Sequence, residues 1–159
     1  MEAIAKFAAD RMLARVARWL RMLGADTLLD ESLDGATMLK LARAESRIML
    51  TRDKRLKTAP DVLFLESNNF REQLREILAR YPFDVIRNAF SRCSRCNTPL
   101  IEVDREVVRT RVPPFVYASN DKFSECPRCA HLYWSGTHPA RVIQEVQKIG
   151  LPGIRSSKP

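Results

Sequence analysis

The four cysteines of the chain constrain its fold more than any other feature. They form two CxxC pairs, Cys93 with Cys96 and Cys126 with Cys129. Two thiolates at this spacing can bind one metal ion from a tight turn, and two such turns complete a tetrahedral S4 site. Four soft ligands that leave no open position favour a structural zinc ion. The long segment between the pairs suits a zinc ribbon, whose two cysteine turns are separated by strands. The alternative is a pair of disulfides or redox centres.

Length and charge limit what the rest of the chain can be. The 159 residues suffice for a small α/β domain followed by a metal-stabilised module. No apolar run approaches the roughly 20 residues that span a bilayer, and the first residues lack the layout of a signal peptide. We therefore expect a cytoplasmic protein with no membrane partner. The net charge of +8 favours a polyanionic partner, and the alternative is a basic protein without a nucleic-acid role.

The hydrophobic pattern of the first 90 residues alternates between strands and helices. It predicts strands at 3–9, 26–29, 47–51 and 62–65, and helices at 11–23, 36–46 and 69–81. This order predicts a mostly parallel sheet with helices on its faces. We assign residues 1–90 to this α/β domain.

The second part of the chain is predicted to be a separate module. Residues 83–92 are interpreted as the linker that leads into it, and residues 91–150 as the zinc ribbon with a C-terminal helix. Within the module, Pro113 and Pro114 predict an extended turn. Residues 151–159 are predicted to form a disordered tail.

Acidic residues follow the predicted strands of the first domain. Asp10, Asp30 and Asp53 each lie one or two residues past a strand, and Glu66 follows the fourth strand. Because ligands of parallel sheets gather at the carboxyl ends of the strands, we expect these acids to share one edge. Clustered carboxylates suit Mg²⁺ or Mn²⁺, which can activate water for phosphodiester cleavage. The alternative is that each aspartate only caps a helix or a turn.

Arginines repeat along the first predicted helix. Arg11, Arg15, Arg18 and Arg21 are spaced at intervals of four, three and three, which predicts one basic face. This face is either simply solvated or binds phosphate groups. Other chemistries lack their residues: the chain has no GxxxxGK[ST], GxGxxG or GxSxG motif, and both histidines lie in or beside the ribbon.

Several segments resemble the Mut-seven C-terminal family. They are residues 10–13 and 17–28, the run Ile48-Met49-Leu50-Thr51-Arg52-Asp53, both CxxC pairs, Arg111-Val112-Pro113-Pro114, and residues 133–138. The resemblance covers residues 3 to about 145. It implies a PIN-like three-layer nuclease domain fused to a zinc ribbon, with metal-dependent RNase activity. Asp10 and Asp53 would be metal-binding carboxylates, Asp30 would be the acid after the second strand, and Asp34 would be a fourth member.

We therefore expect an Mg²⁺- or Mn²⁺-dependent endoribonuclease with a structural zinc ion. Arg11, Arg15, Arg18, Arg21 and Arg52 are the predicted RNA-binding residues. The main alternative is an RNA- or ribosome-binding protein with a weak or vestigial nuclease site. A further alternative is a toxin-like nuclease controlled by a partner. The sequence leaves open the oligomeric state, any protein partner, and the choice between RNA and DNA.

Overall fold

A computed structural model describes residues 3–150 of the chain. The predicted tail at 151–159 lies outside these residues. The strands are β1 (Phe7–Ala9), β2 (Thr27–Leu29), β3 (Ile48–Thr51), β4 (Val62–Phe64), β5 (Ile101–Val103), β6 (Phe123–Glu125) and β7 (Leu132–Trp134). The helices are α1 (Ala14–Met22), α2 (Gly35–Ala44), α3 (Phe70–Arg80), α4 (Val85–Asn88), α5 (Arg105–Val108), α6 (Pro114–Ser119) and α7 (Thr137–Lys148).

The first four strands form a fully parallel sheet in the order β2-β1-β3-β4. Successive side chains of β1 point to opposite faces, as the pleat of a strand requires. Phe7 and Ala9 pack with α1 and α3, whereas Ala8 packs with Met38 and Met49 beneath α2. The domain therefore has three layers, with helices on both faces of the sheet, and the predicted fold class is confirmed.

Helix α1 ends where the sequence predicts, at Gly24. The Gly24 N–H donates to the Arg21 carbonyl and the Ala25 N–H donates to the Leu20 carbonyl, which is the Schellman arrangement. Gly24 has a φ of 96°, in the left-handed region that favours glycine. A side chain there would meet the Asn88 carbonyl oxygen at 2.2 Å, so the close approach also requires glycine.

The segment predicted to be a linker instead packs against the first domain. It contains α4, and Val85 at the start of this helix is 2 % exposed within the core of the α/β domain. The Phe90 N–H then donates to the Met22 carbonyl at 2.7 Å. The linker prediction was wrong because burial of Val85 and the contact with α1 are long-range effects that local composition does not report.

The ribbon is a three-stranded antiparallel sheet in the order β5-β6-β7. Its core contains Phe123 packed with Val108, Val112 and Val116. Pro113 is extended as predicted, but Pro114 begins α6 rather than continuing a turn. Proline suits the first position of a helix because the N–H that it lacks would have no partner there.

Helix α7 follows the ribbon in sequence but packs on the α/β domain. Val142, Val146 and Ile149 are at most 6 % exposed and belong to the same core as α1 and α3. Arg75 of α3 donates to the Ile149 carbonyl at 3.0 Å. The predicted domain boundaries stay a prediction, although this packing groups α7 with the first core.

Across residues 3–150, no helix combines the length and the apolar character that a membrane span needs.

Candidate active site at the carboxyl ends of the strands

The register of the parallel sheet brings acidic positions to one edge. Ala9 is paired with Leu29 on one side and with Leu50 on the other. Asp10 and Asp30 therefore directly follow paired residues on adjacent strands, and Asp53 lies just beyond the end of β3. Glu66 follows β4 on the far side, and its side chain is 74 % exposed. The strand ends that carry the predicted acids are thus neighbours at this edge.

Asp10 is held more tightly than the other acids at this edge. It is 6 % exposed, and one carboxylate oxygen accepts from the Met12 N–H at 2.8 Å, which caps a short 3₁₀ turn before α1. The other oxygen accepts from the Thr51 hydroxyl at 2.5 Å and from the Arg52 N–H at 3.3 Å. A buried carboxylate requires such donors, because burial of an unpaired charge is costly. The position of Asp10 is therefore determined by both β1 and β3.

Thr51 is a residue that the sequence reasoning did not select. It is fully buried at the end of β3, and its hydroxyl also accepts from the Asp53 N–H at 3.0 Å. One hydroxyl thus connects the Asp10 carboxylate to the backbone of Asp53. One sequence signal could have indicated this role: a polar residue at the end of an apolar strand, two positions before an aspartate.

Asp53 lies beside the first turn of α2. Its carboxylate accepts from the Arg55 N–H at 2.9 Å and forms an ion pair with the Arg55 guanidinium at 2.8 Å. These hydrogen bonds hold the pKa of Asp53 below its ordinary value. A carboxylate oxygen of Asp53 lies 3.5 Å from the position that a Cβ would occupy at Gly35, the first residue of α2. Asp34 is the N-cap of the same helix, and its carboxylate accepts from the Thr37 N–H at 2.7 Å.

Asp30 is exposed at the neighbouring strand end. It accepts from both the hydroxyl and the N–H of Ser32, at 2.5 Å and 2.9 Å, and these bonds lower the pKa of Asp30. The backbone hydrogen bond from Thr37 likewise lowers the pKa of Asp34. Asp30, Asp34 and Asp53 are therefore carboxylates at neutral pH, and the charge of Asp53 is paired with Arg55.

The carboxylates share an edge, but each one is held by its own local donors. In the part of the chain that the structure describes, the only group of three or more His, Cys, Asp or Glu ligand atoms within 4.8 Å of one another is formed by the cysteines. The oxygen chemistry of the acids fits Mg²⁺ or Mn²⁺. Joint ligation of one ion would require the exposed side chain of Asp30 and the half-buried side chain of Asp53 to turn toward Asp10.

Three of the four arginines predicted for the α1 face are exposed. Arg11, Arg15 and Arg18 lie on the surface, with the Arg15 guanidinium 3.7 Å from the centre of the Phe70 ring and Arg18 paired with Glu31 at 3.3 Å. The exposed face begins beside Asp10 and runs along α1. Arg52 adds a guanidinium whose Nη2 donates to the Glu66 carbonyl.

Arg21 does not belong to that face, contrary to the sequence prediction. It is 4 % exposed, and burial lowers its pKa. Its Nε donates to the Thr27 carbonyl at 2.8 Å, and its Nη1 donates to the carbonyls of Ser94 and Arg95 at 3.3 Å and 2.8 Å. Its spacing satisfies the helical period, but the ribbon covers this side of the helix.

The cysteine pairs converge as predicted. The Cys93 and Cys129 sulfur atoms are 3.7 Å apart, close to the roughly 3.8 Å between two sulfur atoms on a tetrahedral zinc ion. Each pair is followed by a residue with positive φ, Asn97 at 66° and Ala130 at 59°, so the two turns have matching backbones. These four cysteines could bind a structural metal such as zinc.

The pKa values of the cysteine thiols also favour a cation bound among them. Burial would raise the pKa of Cys93, but hydrogen bonds from Tyr133 and from the backbone outweigh it and lower the pKa to about 7. Burial and the neighbouring thiols raise the pKa of Cys96 to about 12. Four thiolates this close repel one another, so full deprotonation requires a bound metal ion.

The first cysteine turn contacts the α/β domain at the edge opposite the acids. The Asn97 side chain accepts from the Thr27 N–H at 2.9 Å and donates to the Asp26 carboxylate at 2.7 Å. Asp26 also forms an ion pair with Arg47 at 2.6 Å. Because Thr27 begins β2, the ribbon lies at the amino ends of the strands, roughly 10 Å or one strand length from the acids.

Comparisons with known proteins give one finding. A family model described as the Mut7-C RNAse domain matches residues 5–146. Neither the curated proteins nor the solved structures gave a significant match. The family match spans both the strand-end acids and the two cysteine pairs, and it indicates a ribonuclease-related role. The chain therefore belongs to the Mut7-C RNase domain family.

Proposed function

We propose that this protein is a metal-dependent endoribonuclease that hydrolyses phosphodiester bonds of single-stranded or looped RNA. The observation that carries the proposal is the placement of Asp10, Asp30 and Asp53 at the ends of three adjacent parallel strands, beside the exposed arginines of α1. Carboxylates at this place are the usual ligands of Mg²⁺ or Mn²⁺ in phosphoryl transfer. Family membership supports RNA as the substrate.

The residues divide into two groups by chemistry. Asp10, Asp30 and Asp53 would hold Mg²⁺ or Mn²⁺, with Asp34 close to the same edge. When bound, such an ion lowers the pKa of a coordinated water and stabilises the charge that develops on the phosphate. Thr51 holds the Asp10 carboxylate in place through its hydroxyl.

The cations supply the contacts to the RNA backbone. Arg11, Arg15 and Arg18 form an exposed row that begins at the acid edge, and Arg52 lies between Asp10 and Glu66. Guanidinium groups pair well with phosphate oxygens, and these contacts position a nucleic acid without reading its sequence. The four cysteines would hold a structural zinc ion, which has no part in the cleavage.

A cleavage assay tests this proposal. Purified protein is incubated with labelled single-stranded RNA and Mn²⁺, in parallel with Asp10→Asn, Asp53→Asn and Thr51→Val. We expect Thr51→Val to lower the rate by about ten- to a hundredfold, as loss of a partner that orients a metal ligand does, and the two aspartate variants to lower it further.

Asp61→Asn provides the matched control. Asp61 is an exposed aspartate at the amino end of β4, and its positive φ of 62° suits asparagine equally well. We expect this variant to cleave like the wild type. Equal cleavage by the wild type, Asp10→Asn and Asp53→Asn, all with unchanged circular dichroism, would refute the site assignment.

One observation favours the alternative of an RNA- or ribosome-binding protein with a weak or vestigial nuclease site. Among residues 3–150 the carboxylates do not form a tight ligand group. Thermal melting separates the two functions, because a ligand that binds only the folded state raises the melting temperature. A nuclease site should be stabilised by Mn²⁺ through Asp10 and Asp53, whereas a binding protein should be stabilised by RNA alone.

A further inference from the structure

A cleft lies between the ribbon and the α/β domain, away from the acid edge. Its volume is about 540 Å³, within the range of roughly 300–1,000 Å³ that small-molecule sites occupy. One wall is formed by β6 and β7 of the ribbon. The opposite wall is formed by Met22 at the end of α1, Phe90 and Val142 of α7.

Residues from both faces of the ribbon sheet line this cleft. Phe123 and Trp134 are paired across β6 and β7, and both pack on the ribbon core. Their neighbours Ser124 and Tyr133 are also paired, so they lie on the opposite face of the sheet. Ser124 and Tyr133 line the cleft, together with Trp134 from the other face of the sheet.

Aromatic rings in this cleft are fixed in position. The Tyr133 hydroxyl lies 3.1 Å from the Cys93 sulfur and accepts from the Ser94 N–H at 3.2 Å. The His131 ring packs edge-on against Tyr133, with their centres 4.8 Å apart. Trp134 also lines the cleft. Rings held in this way lose little freedom when a planar ligand stacks on them.

The charge of the cleft matches an anionic ligand. Of the described residues that line it, Arg92 and Lys122 are cationic and none is acidic. The Arg92 guanidinium donates to the Asn97 carbonyl at 2.8 Å and lies 3.9 Å from the Asp26 carboxylate, so Lys122 is the cation that a ligand can reach. Lys122 is an exposed residue of the cleft lining. Planar aromatic surface combined with cations is the composition of sites that bind single-stranded nucleic acid, where bases stack and phosphates pair with Lys or Arg.

The arginine row of α1 connects the two sites. Arg15, Arg18 and Met22 are spaced at i, i+3 and i+7, which places them on one side of the helix. Met22 lines the cleft, and the row begins beside Asp10. The path from Arg11 to Met22 is about 16 Å long at the rise of a helix, which corresponds to a few nucleotides of single strand.

We infer that this cleft binds a nucleotide of the RNA strand at a distance from the cleaved bond. The base stacks against the Tyr133 and His131 rings, and the phosphate pairs with Lys122. The strand then follows the arginines of α1 to the acid edge. This inference rests on the proposed RNA substrate, and it assigns the ribbon a part in holding that substrate.

Tryptophan fluorescence tests the inference directly. The chain contains two tryptophans, and Trp19 lies outside this cleft. In Trp19→Phe, emission therefore reports on Trp134 alone. The zinc-loaded protein is titrated with an oligouridylate of about ten nucleotides, without Mg²⁺ or Mn²⁺ so that no cleavage occurs. We expect saturable quenching that weakens as salt is raised.

Three variants in this background locate the binding. Lys122→Glu reverses the charge of the exposed lining residue, and Ser124→Leu fills the cleft without adding an aromatic surface. We expect each of these two variants to weaken binding about tenfold. A change of this size is near the low end of what one stacked base contributes to affinity. Lys40→Glu is the matched control, since it makes the same charge change at an exposed position of α2. It should leave the affinity within about threefold.

The outcomes separate this inference from the nuclease proposal. Absence of quenching, or equal weakening by Lys40→Glu and Lys122→Glu, overturns the inference even if the wild type cleaves RNA. Quenching that depends on Lys122 and Ser124 supports it even if no cleavage is found. Unchanged zinc content and circular dichroism show that each variant is folded, so that a loss of binding is not a loss of structure.

Discussion

Replacement of Arg21 by methionine is expected to weaken the attachment of the ribbon to the α/β domain. Within the described structure, Arg21 is the one residue of α1 whose side chain donates hydrogen bonds to both the α/β domain and the ribbon. It binds the Thr27 carbonyl in the first domain and the carbonyls of Ser94 and Arg95 in the first cysteine turn. Methionine preserves the apolar stem and removes all three hydrogen bonds.

The magnitude follows from the number and type of these bonds. A hydrogen bond from a charged donor contributes about 1.5–3 kcal/mol, and its loss leaves a buried carbonyl without a partner. The three bonds share one guanidinium, and removal of that group also ends its desolvation cost, so the contributions do not add fully. We expect the free energy of unfolding to fall by about 3 kcal/mol, equivalent to roughly 6–12 °C in melting temperature for a chain of this size.

Urea unfolding followed by circular dichroism measures this change, and the transfer of zinc to a chelator provides a second readout. Arg21 binds the turn that carries Cys93 and Cys96, so its loss should also accelerate zinc release. The control is Arg18→Met, one turn earlier in the same helix. Arg18 is 57 % exposed with a single surface ion pair, so its replacement should change stability by no more than about 0.5 kcal/mol.

Similar effects of the two substitutions would refute the reasoning. If Arg21→Met stays within about 0.5 kcal/mol of Arg18→Met and releases zinc at the same rate, the buried hydrogen bonds do not stabilise the contact between the two parts. A selective loss of RNA affinity in a fully stable Arg21→Met protein would instead restore the sequence-based assignment of Arg21 to the RNA-binding face.

Three further predictions concern the same framework. Gly24→Ala should destabilise the protein by about 2–4 kcal/mol in thermal or urea unfolding, because its Cβ would overlap the Asn88 carbonyl at a positive φ; a change below 1 kcal/mol would contradict this. Burial would raise the pKa of Asp26, but hydrogen bonds from Arg47 and Asn97 outweigh it and lower the pKa below its ordinary value of 3.8. The stability from this shift is complete above that value and is lost as pH falls through the lower folded pKa, so the stability difference between wild type and Asp26→Asn should shrink only in acid. Removal of zinc should unfold residues from about 91 to 136 while β1 to β4 keep their protection in hydrogen exchange, and loss of protection throughout the chain would contradict this division.

Local patterns predicted much of the fold. The alternation of apolar strands and amphipathic helices was sufficient for a parallel three-layer domain, because period and chain order restrict the allowed topologies. The site was harder to predict. Asp10, Asp30 and Asp53 were placed at strand ends by their position after apolar runs, but the link from Asp10 through Thr51 depends on β1 and β3 being adjacent. Chain order does not specify which parallel strands are neighbours.

The sequence by itself determined the candidate metal site: four cysteines in two CxxC pairs allow few arrangements, because the spacing within each pair sets the turn and thiolate ligands favour zinc. The tertiary structure alone decided where that module sits. It places the first cysteine turn against the start of β2, buries Arg21 beneath it, and leaves an open cleft beside Tyr133. These contacts join residues some 70 positions apart, and their energies depend on burial and hydrogen-bond geometry that no local pattern records.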